Sequence, residues 1–229
     1  MSEQNKSNRR TVGIVGAIAV LVILGALAAV YVNATGSGNT SVAVASAGSG
    51  AACSASVALA EAIQPFARGD VAAMASASEP KALTSLAFND PDGEKMSLAD
   101  LSGKTVLINL WATWCAPCRE EMPALDELQA AMGSEDFEVV AINIDTGDDT
   151  KPKNFLNEIG VENLGFYRDN TMGIFNDLKK QGLAFGLPVT LLVDRQGCLL
   201  ANMNGPAHWS SDDAKTYIGK ALEQSTPSG

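Results

Sequence analysis

The stretch Trp111-Ala112-Thr113-Trp114-Cys115-Ala116-Pro117-Cys118-Arg119 follows directly on the apolar run Val106-Leu107-Ile108-Asn109-Leu110. It sets Cys115 and Cys118 one helical turn apart, where a buried strand gives way to a helix. The orphan N–H groups and the positive end of that helix favour thiolate over thiol at Cys115. Only the thiolate attacks a disulfide or leaves one, so Cys115 is the candidate nucleophile. Cys118, three residues on, is within reach to close a ring with it and release whatever Cys115 has captured. The pair reads as a redox dithiol, with no cofactor beyond its own disulfide and no metal.

Outward from this motif the chain alternates strand and helix, as a sheet with parallel crossovers requires. The patterning predicts strands over 105–111, 137–144, 165–168, 189–193 and 199–203. Helices are expected over 115–132, 152–159, 171–180 and 211–224. Arg195-Gln196-Gly197 turns the last two strands back on each other, so they run antiparallel. Before this core, Leu86-Ala87-Phe88, the turn Asn89-Asp90-Pro91-Asp92-Gly93 and Lys95-Met96 signal a hairpin. Ser97 to Leu101 follows as one helical turn closed by Gly103. The order βαβαβαββα, with a helix after the final hairpin, is similar to the thioredoxin-like α/β fold: a mixed central sheet flanked by helices.

The N-terminal third reads differently. Residues 1–10 are polar and carry Lys6, Arg9 and Arg10, whereas Thr11 to Val32 contain no charge. About 22 mostly apolar residues suffice to cross a bilayer as a helix. With basic residues only on the leading side, the positive-inside rule leaves residues 1–10 in the cytoplasm and exports the rest. A cleaved signal peptide is the competing reading, but its apolar stretch would run only about 7–15 residues. Residues 33–50, uncharged and rich in Gly, Ser, Thr and Ala, form a flexible tether. Residues 51–229 then make up the exported domain, in which 51–85 is expected to be a helical extension. One helix runs from about Ala55 to Phe66, and a second, capped by Asp70, to about Ala77.

The formal net charge is −10, and loss of Lys6, Arg9, Arg10 and Glu3 with the first 32 residues takes the remainder to about −12. Such a surface repels nucleic acid, which is excluded as a partner. It suits a basic partner, or simply solubility. Cysteines in an exported domain meet an oxidising compartment. Cys53 and Cys198 share no metal-like spacing with any other residue, and left free they would scramble with the dithiol. A structural Cys53–Cys198 disulfide is therefore expected, contributing roughly 4–5 kcal/mol through loop closure. The alternative is that both are small buried hydrophobes.

Around the dithiol, Trp114 is expected to lie over and shield it, while Trp111 belongs to the core. Ala116 and Pro117, between the cysteines, are candidate client contacts. Glu121 lies three residues past Cys118, on the same helical face. A partly buried carboxylate there could take the Cys118 proton. The other reading is a solvated acid in the run Arg119-Glu120-Glu121. Pro123 falls inside the helix and should kink it. Pro188, in Gly186-Leu187-Pro188-Val189-Thr190, opens a strand, as an ordinary proline can.

From Leu86 to Leu222 the chain resembles the membrane-tethered, thioredoxin-like proteins of bacterial cytochrome maturation, the TlpA, ResA and CcmG group. The resemblance is carried by Asp92-Gly93, Gly103-Lys104, the Trp111–Arg119 motif, Glu121-Met122-Pro123-Ala124-Leu125, Gly186-Leu187-Pro188-Val189-Thr190, Asp194-Arg195-Gln196-Gly197 and Gly205-Pro206-Ala207. The alanine-rich extension and the pair Cys53 and Cys198 look most like the TlpA branch. The resemblance implies a cis Leu187–Pro188 bond packed against the dithiol, exposing the Leu187 backbone as an edge on which a client peptide can pair. It implies that the carboxylate at Glu121 is functional. Asn109 stands where cytosolic thioredoxin has a buried Asp, so a proton acceptor for Cys118 must lie elsewhere. The resemblance also implies a monomer on the bacterial inner membrane, its domain in the periplasm and its dithiol recharged by a CcdA- or DsbD-type membrane electron donor. The implied clients are the copper-site cysteines of cytochrome oxidase subunit II or its Sco-type chaperone, or the haem-attachment cysteines of apocytochrome c.

A rival reading is a Sco-like copper metallochaperone using Cys115, Cys118 and His208, the only histidine. Sco proteins, however, space their cysteines by three residues, and here there are two. The dipeptide between the cysteines bears on the direction of electron flow. Strong oxidants place a His there to stabilise the thiolate, and Ala116-Pro117 offers no such charge. A reducing domain is expected, its potential nearer the thioredoxin than the DsbA end of the scale. Equilibration of the isolated domain in glutathione buffer measures this, and a DsbA-like potential would rule out the reducing direction.

Overall fold

The computed structural model describes residues 53–225. The expected cytoplasmic segment 1–10, anchor 11–32 and tether 33–50 lie outside the described residues. Among the described residues, no helix is long and apolar enough to cross a membrane. Along the chain come helix α1 (Ser54–Ile63), strands β1 (Ala75–Ser76), β2 (Ala87–Asn89), β3 (Lys95–Ser97) and β4 (Thr105–Trp111), then helix α2 (Ala116–Met132). After these follow β5 (Phe137–Asn143), α3 (Thr150–Glu158), β6 (Tyr167–Arg168), α4 (Gly173–Lys180), β7 (Val189–Val193), β8 (Leu199–Asn204) and α5 (Asp212–Ser225). The strands form one mixed sheet in the order β1-β8-β7-β4-β5-β6-β2-β3.

Strand β4 is central because its sequence lets both faces be covered. All seven of its residues are buried, as expected of a near-continuous apolar run between two helical layers. It pairs in parallel with β5 and antiparallel with β7. Gly197 turns β7 into β8 at φ 77°, and a Cβ there would come within 2.6 Å of the Thr84 methyl. The expected hairpin is formed by β2 and β3. Ser97 and Asp100 close a reciprocal capping box on the short turn Leu98–Leu101. Helix α2 continues through Pro123 to Met132.

The extension departs from expectation. A second helix from Asp70 to Ala77 does not form. A short 3-10 turn, Gly69–Val71, gives way to β1, which pairs antiparallel with β8 at Ala75↔Asn202 and Ser76↔Ala201. The Ala77 N–H continues the pairing, donating to Leu200 O at 2.8 Å. Alanine's helix preference is worth only tenths of a kcal/mol per residue, about 0.7 against ordinary residues. The edge of β8 offers backbone partners to any extended segment that reaches it, and Val71 and Met74 are buried against the core as it does so.

Helix α1 is tied down beside that edge. Cys53 and Cys198 are joined in a disulfide across a sequence separation of 145. One turn on, the buried Ser56 hydroxyl donates to Asp194, whose carboxylate also accepts the N–H groups of Gln196 and Cys198, each at 2.9 Å. Closing a loop of that length restricts the unfolded chain by about 5 kcal/mol in the chain-entropy model. The double variant Cys53→Ser/Cys198→Ser is expected to lose about that much stability in urea titration. A loss under about 1 kcal/mol would mean that the β1–β8 pairing and the Ser56–Asp194 bond hold the extension without it.

Candidate active site

The helical first turn that presents the dithiol begins one residue later than the patterning suggested. Cys115 is the N-cap of α2, not its first helical residue, and its Sγ accepts the Cys118 N–H at 3.3 Å. This places the sulfur against the orphan donors of the helix N-terminus, where a thiolate is stabilised when the pair is reduced. In the structure the pair is oxidised, Cys115 bonded to Cys118. Cys115 is 6% exposed and Cys118 fully buried. An incoming sulfur therefore meets Cys115 first.

The loop ahead of Cys115 is pinned from behind. Thr113 donates to the buried Asp145 through its N–H at 2.9 Å and its hydroxyl at 3.0 Å. Asp145 also accepts from the Asn143 amide at 2.8 Å. The buried Arg168 guanidinium bridges the carbonyls of Asp145 and Gly147, both at 3.0 Å, and pairs with Asp149. Asp145 and Arg168 did not stand out in the sequence. Nothing in their local spacing marks them, since each matters only through partners on other strands.

The Leu187–Pro188 bond is cis. Pro188 is buried and Leu187 half-buried. Val189, the next residue, pairs with Leu110 on β4, which brings this segment to the end of the sheet where the dithiol loop begins. Trp114 is 61% exposed and stands in solvent, as does Phe185 at 77%. Trp111 is core and packs on Phe155 with ring centroids 5.8 Å apart. Ala116 is exposed and Pro117 half-buried. Grooves of about 400 Å³ and 360 Å³ flank the first turn of α2. The first is bordered by Thr113, Arg119, Lys151 and Phe155, the second by Asp70, Pro117, Glu120 and His208.

Glu121 is not a solvated acid. It is only 3% exposed, one turn beyond Cys118 on α2. Its Oε1 accepts from Asn109 Nδ2 at 2.8 Å, and its Oε2 accepts from the Ala207 N–H at 3.2 Å and Trp209 Nε1 at 3.0 Å. Asn109 Nδ2 also donates to the Thr190 hydroxyl at 3.0 Å. Burial penalises the charged carboxylate more than these donors stabilise it, and its pKa is pushed up to about 7. A carboxyl poised there can accept or return a proton near neutral pH. Trp209 was missed in the sequence because Gly205-Pro206-Ala207-His208-Trp209 reads only as a loop. His208 itself is exposed, beside Ser210. Among the described residues, no group of three or more His, Cys, Asp or Glu side chains is placed to hold a metal ion. Cys115 and Cys118 are joined to each other in this structure, and His208 lies on the loop before α5.

Residues 77–218 match the redoxin family. A relative in Bacillus thuringiensis (strain Al Hakam), the thiol-disulfide oxidoreductase ResA, is 38% identical over 143 residues, covering 60% of this chain and 73% of its own. The thioredoxin-like protein YneN of Bacillus subtilis (strain 168) is 36% identical over 110 residues, 47% of this chain and 60% of its own. Among solved structures, a thiol:disulfide interchange protein DsbE from Chlorobium tepidum superposes with a TM-score of 0.53 at 27% identity. That likeness covers 62% of this chain and 96% of the other.

The upward shift at Glu121 has a consequence for stability. The folded protein binds this proton more tightly than the unfolded chain, so the group's contribution is fully present below pH 4.5 and is lost as the pH rises through about 7. The difference amounts to about 3 kcal/mol. Glu121→Gln in the oxidised state is expected to gain on the wild type by about that amount between about pH 5 and pH 8, read from urea midpoints. Parallel stability curves for the two proteins would mean that the carboxyl titrates as an ordinary glutamate.

Proposed function

Since the chain belongs to the redoxin family and is a thiol-disulfide oxidoreductase of the ResA and CcmG type, we propose that it runs in the reducing direction on particular protein disulfides. In this reading it is anchored in the bacterial inner membrane by residues 11–32, with the domain in the periplasm. The uncharged span and its leading basic residues support that placement. Its clients are the copper-site cysteines of cytochrome oxidase subunit II or of a Sco-type chaperone, or the haem-attachment cysteines of apocytochrome c. A CcdA- or DsbD-type membrane donor returns it to the dithiol form.

The observation that carries this reading is the asymmetry of the pair: Cys115 at the mouth of a helix N-terminus and Cys118 sealed behind it, with the buried Glu121 one turn further along α2. In the first step the Cys115 thiolate attacks one sulfur of the client disulfide. A Cys115–client mixed disulfide forms, and the client's other sulfur leaves as a thiolate. Cys118 then gives its proton to Glu121 and attacks Cys115 Sγ. The client's remaining sulfur departs with two electrons and takes a proton from solvent, and the Cys115–Cys118 disulfide forms. The Leu187–Pro188 segment supplies backbone on which an extended client can pair. The exposed Trp114 gives it an apolar surface next to Cys115.

Purification of the Cys118→Ser protein from cells is the test. That variant should carry a client bound through Cys115, released by dithiothreitol, and the client sulfur should come from a copper-site or haem-attachment motif. The Cys115→Ser protein should carry none. Equal trapping by both variants would overturn the assignment of roles.

A further inference from the structure

The two oxygens of Glu121 are held by chemically different donors. The Ala207 N–H and the Trp209 indole N–H, both on Oε2, can donate but never accept. They therefore favour charge on Oε2, as the Asn109 side-chain N–H, donated to Oε1, favours it there. Trp209 is fully buried, so its N–H has no water to fall back on and stays directed at the carboxylate. We propose that Trp209 is a positioning residue: its indole N–H holds negative charge on Glu121 Oε2 and so keeps the carboxylate available to take the Cys118 proton in the resolving step.

The inference rests on the reading of Glu121 as that proton acceptor. Burial alone drives the carboxyl toward its neutral form, and the three donors oppose it. Removing one of them moves the balance further toward the neutral, idle form. Other titratable groups lie on the elements around Glu121. They are Cys115 and Cys118 in the first turn of α2, Glu120 beside it, Asp70 from the extension and His208 on the loop before α5.

Trp209→Phe keeps a large buried ring and deletes only the donor. Reduced protein mixed with 5,5′-dithiobis(2-nitrobenzoate) releases one coloured thiolate when Cys115 attacks and a second when Cys118 resolves the mixed disulfide. In Trp209→Phe the first phase should keep its pH profile. The midpoint of the second should move up by about one pH unit, with roughly tenfold slower resolution on the acid side. An unchanged second midpoint would overturn the proposal. Glu121→Gln separates the two failures. If that variant flattens the second profile while Trp209→Phe leaves it in place, only the role of Trp209 falls; if it leaves the profile intact, the Glu121 reading falls with it. Should Trp209→Phe fold poorly, the wild-type protein answers alone. The Trp209 indole N–H resonance of the oxidised form should shift with a midpoint near neutrality, and a flat response would equally overturn the proposal.

Discussion

Strand β4 pairs along both edges, with Leu110 opposite Ile142 of β5 on one side and Val189 of β7 on the other. Because every residue of β4 is buried, sliding it by one position would turn its side chains to the opposite faces and break both layers of the core. This register is what brings the active parts together. The end of β4 feeds the dithiol loop, the start of β7 carries the cis Leu187–Pro188 bond, and Asn109 on β4 reaches Glu121 on α2 and Thr190 on β7. The thiol chemistry is thus mounted on the part of the sheet least able to shift.

Burial does opposite work at the two ends of the first turn of α2. At Cys115 the backbone supplies donors that make a charged sulfur comfortable. At Glu121 the loss of water makes a charged oxygen costly, and only the donors from Asn109, Ala207 and Trp209 bring it back within range of neutral pH. A buried carboxyl with no donors would stay protonated, and one open to water would be too weak a base. A proton acceptor matched to a thiol needs both influences at once.

The extension shows where local preference yields to tertiary pairing. Its alanines suit a helix, and α1 forms as such. Residues 75–76 nevertheless pair with β8, and the Cys53–Cys198 disulfide and the Ser56–Asp194 bond hold the extension along that edge. One result is functional geometry: Asp70, in the turn before β1, borders the same groove as Pro117 and Glu120. The extension thereby contributes a wall beside the dithiol.

The amino-acid sequence by itself determined what depends on short spacing. The dithiol at a strand-to-helix junction, the alternation of core elements, the β2–β3 hairpin and the turn at Gly197 all follow from periodicity, capping and φ preferences within a few residues. Spacing and resemblance marked Glu121 as a candidate on the Cys118 face of the helix, but spacing alone left it open to be one solvated acid in a charged run. Tertiary structure alone decided that it is buried, that its second oxygen meets Trp209 across 88 residues, and that Thr113 is anchored to Asp145 across 32. A hydrogen bond between distant segments leaves no periodic trace in either one. Its existence depends on which surfaces the folded core brings face to face and shields from water.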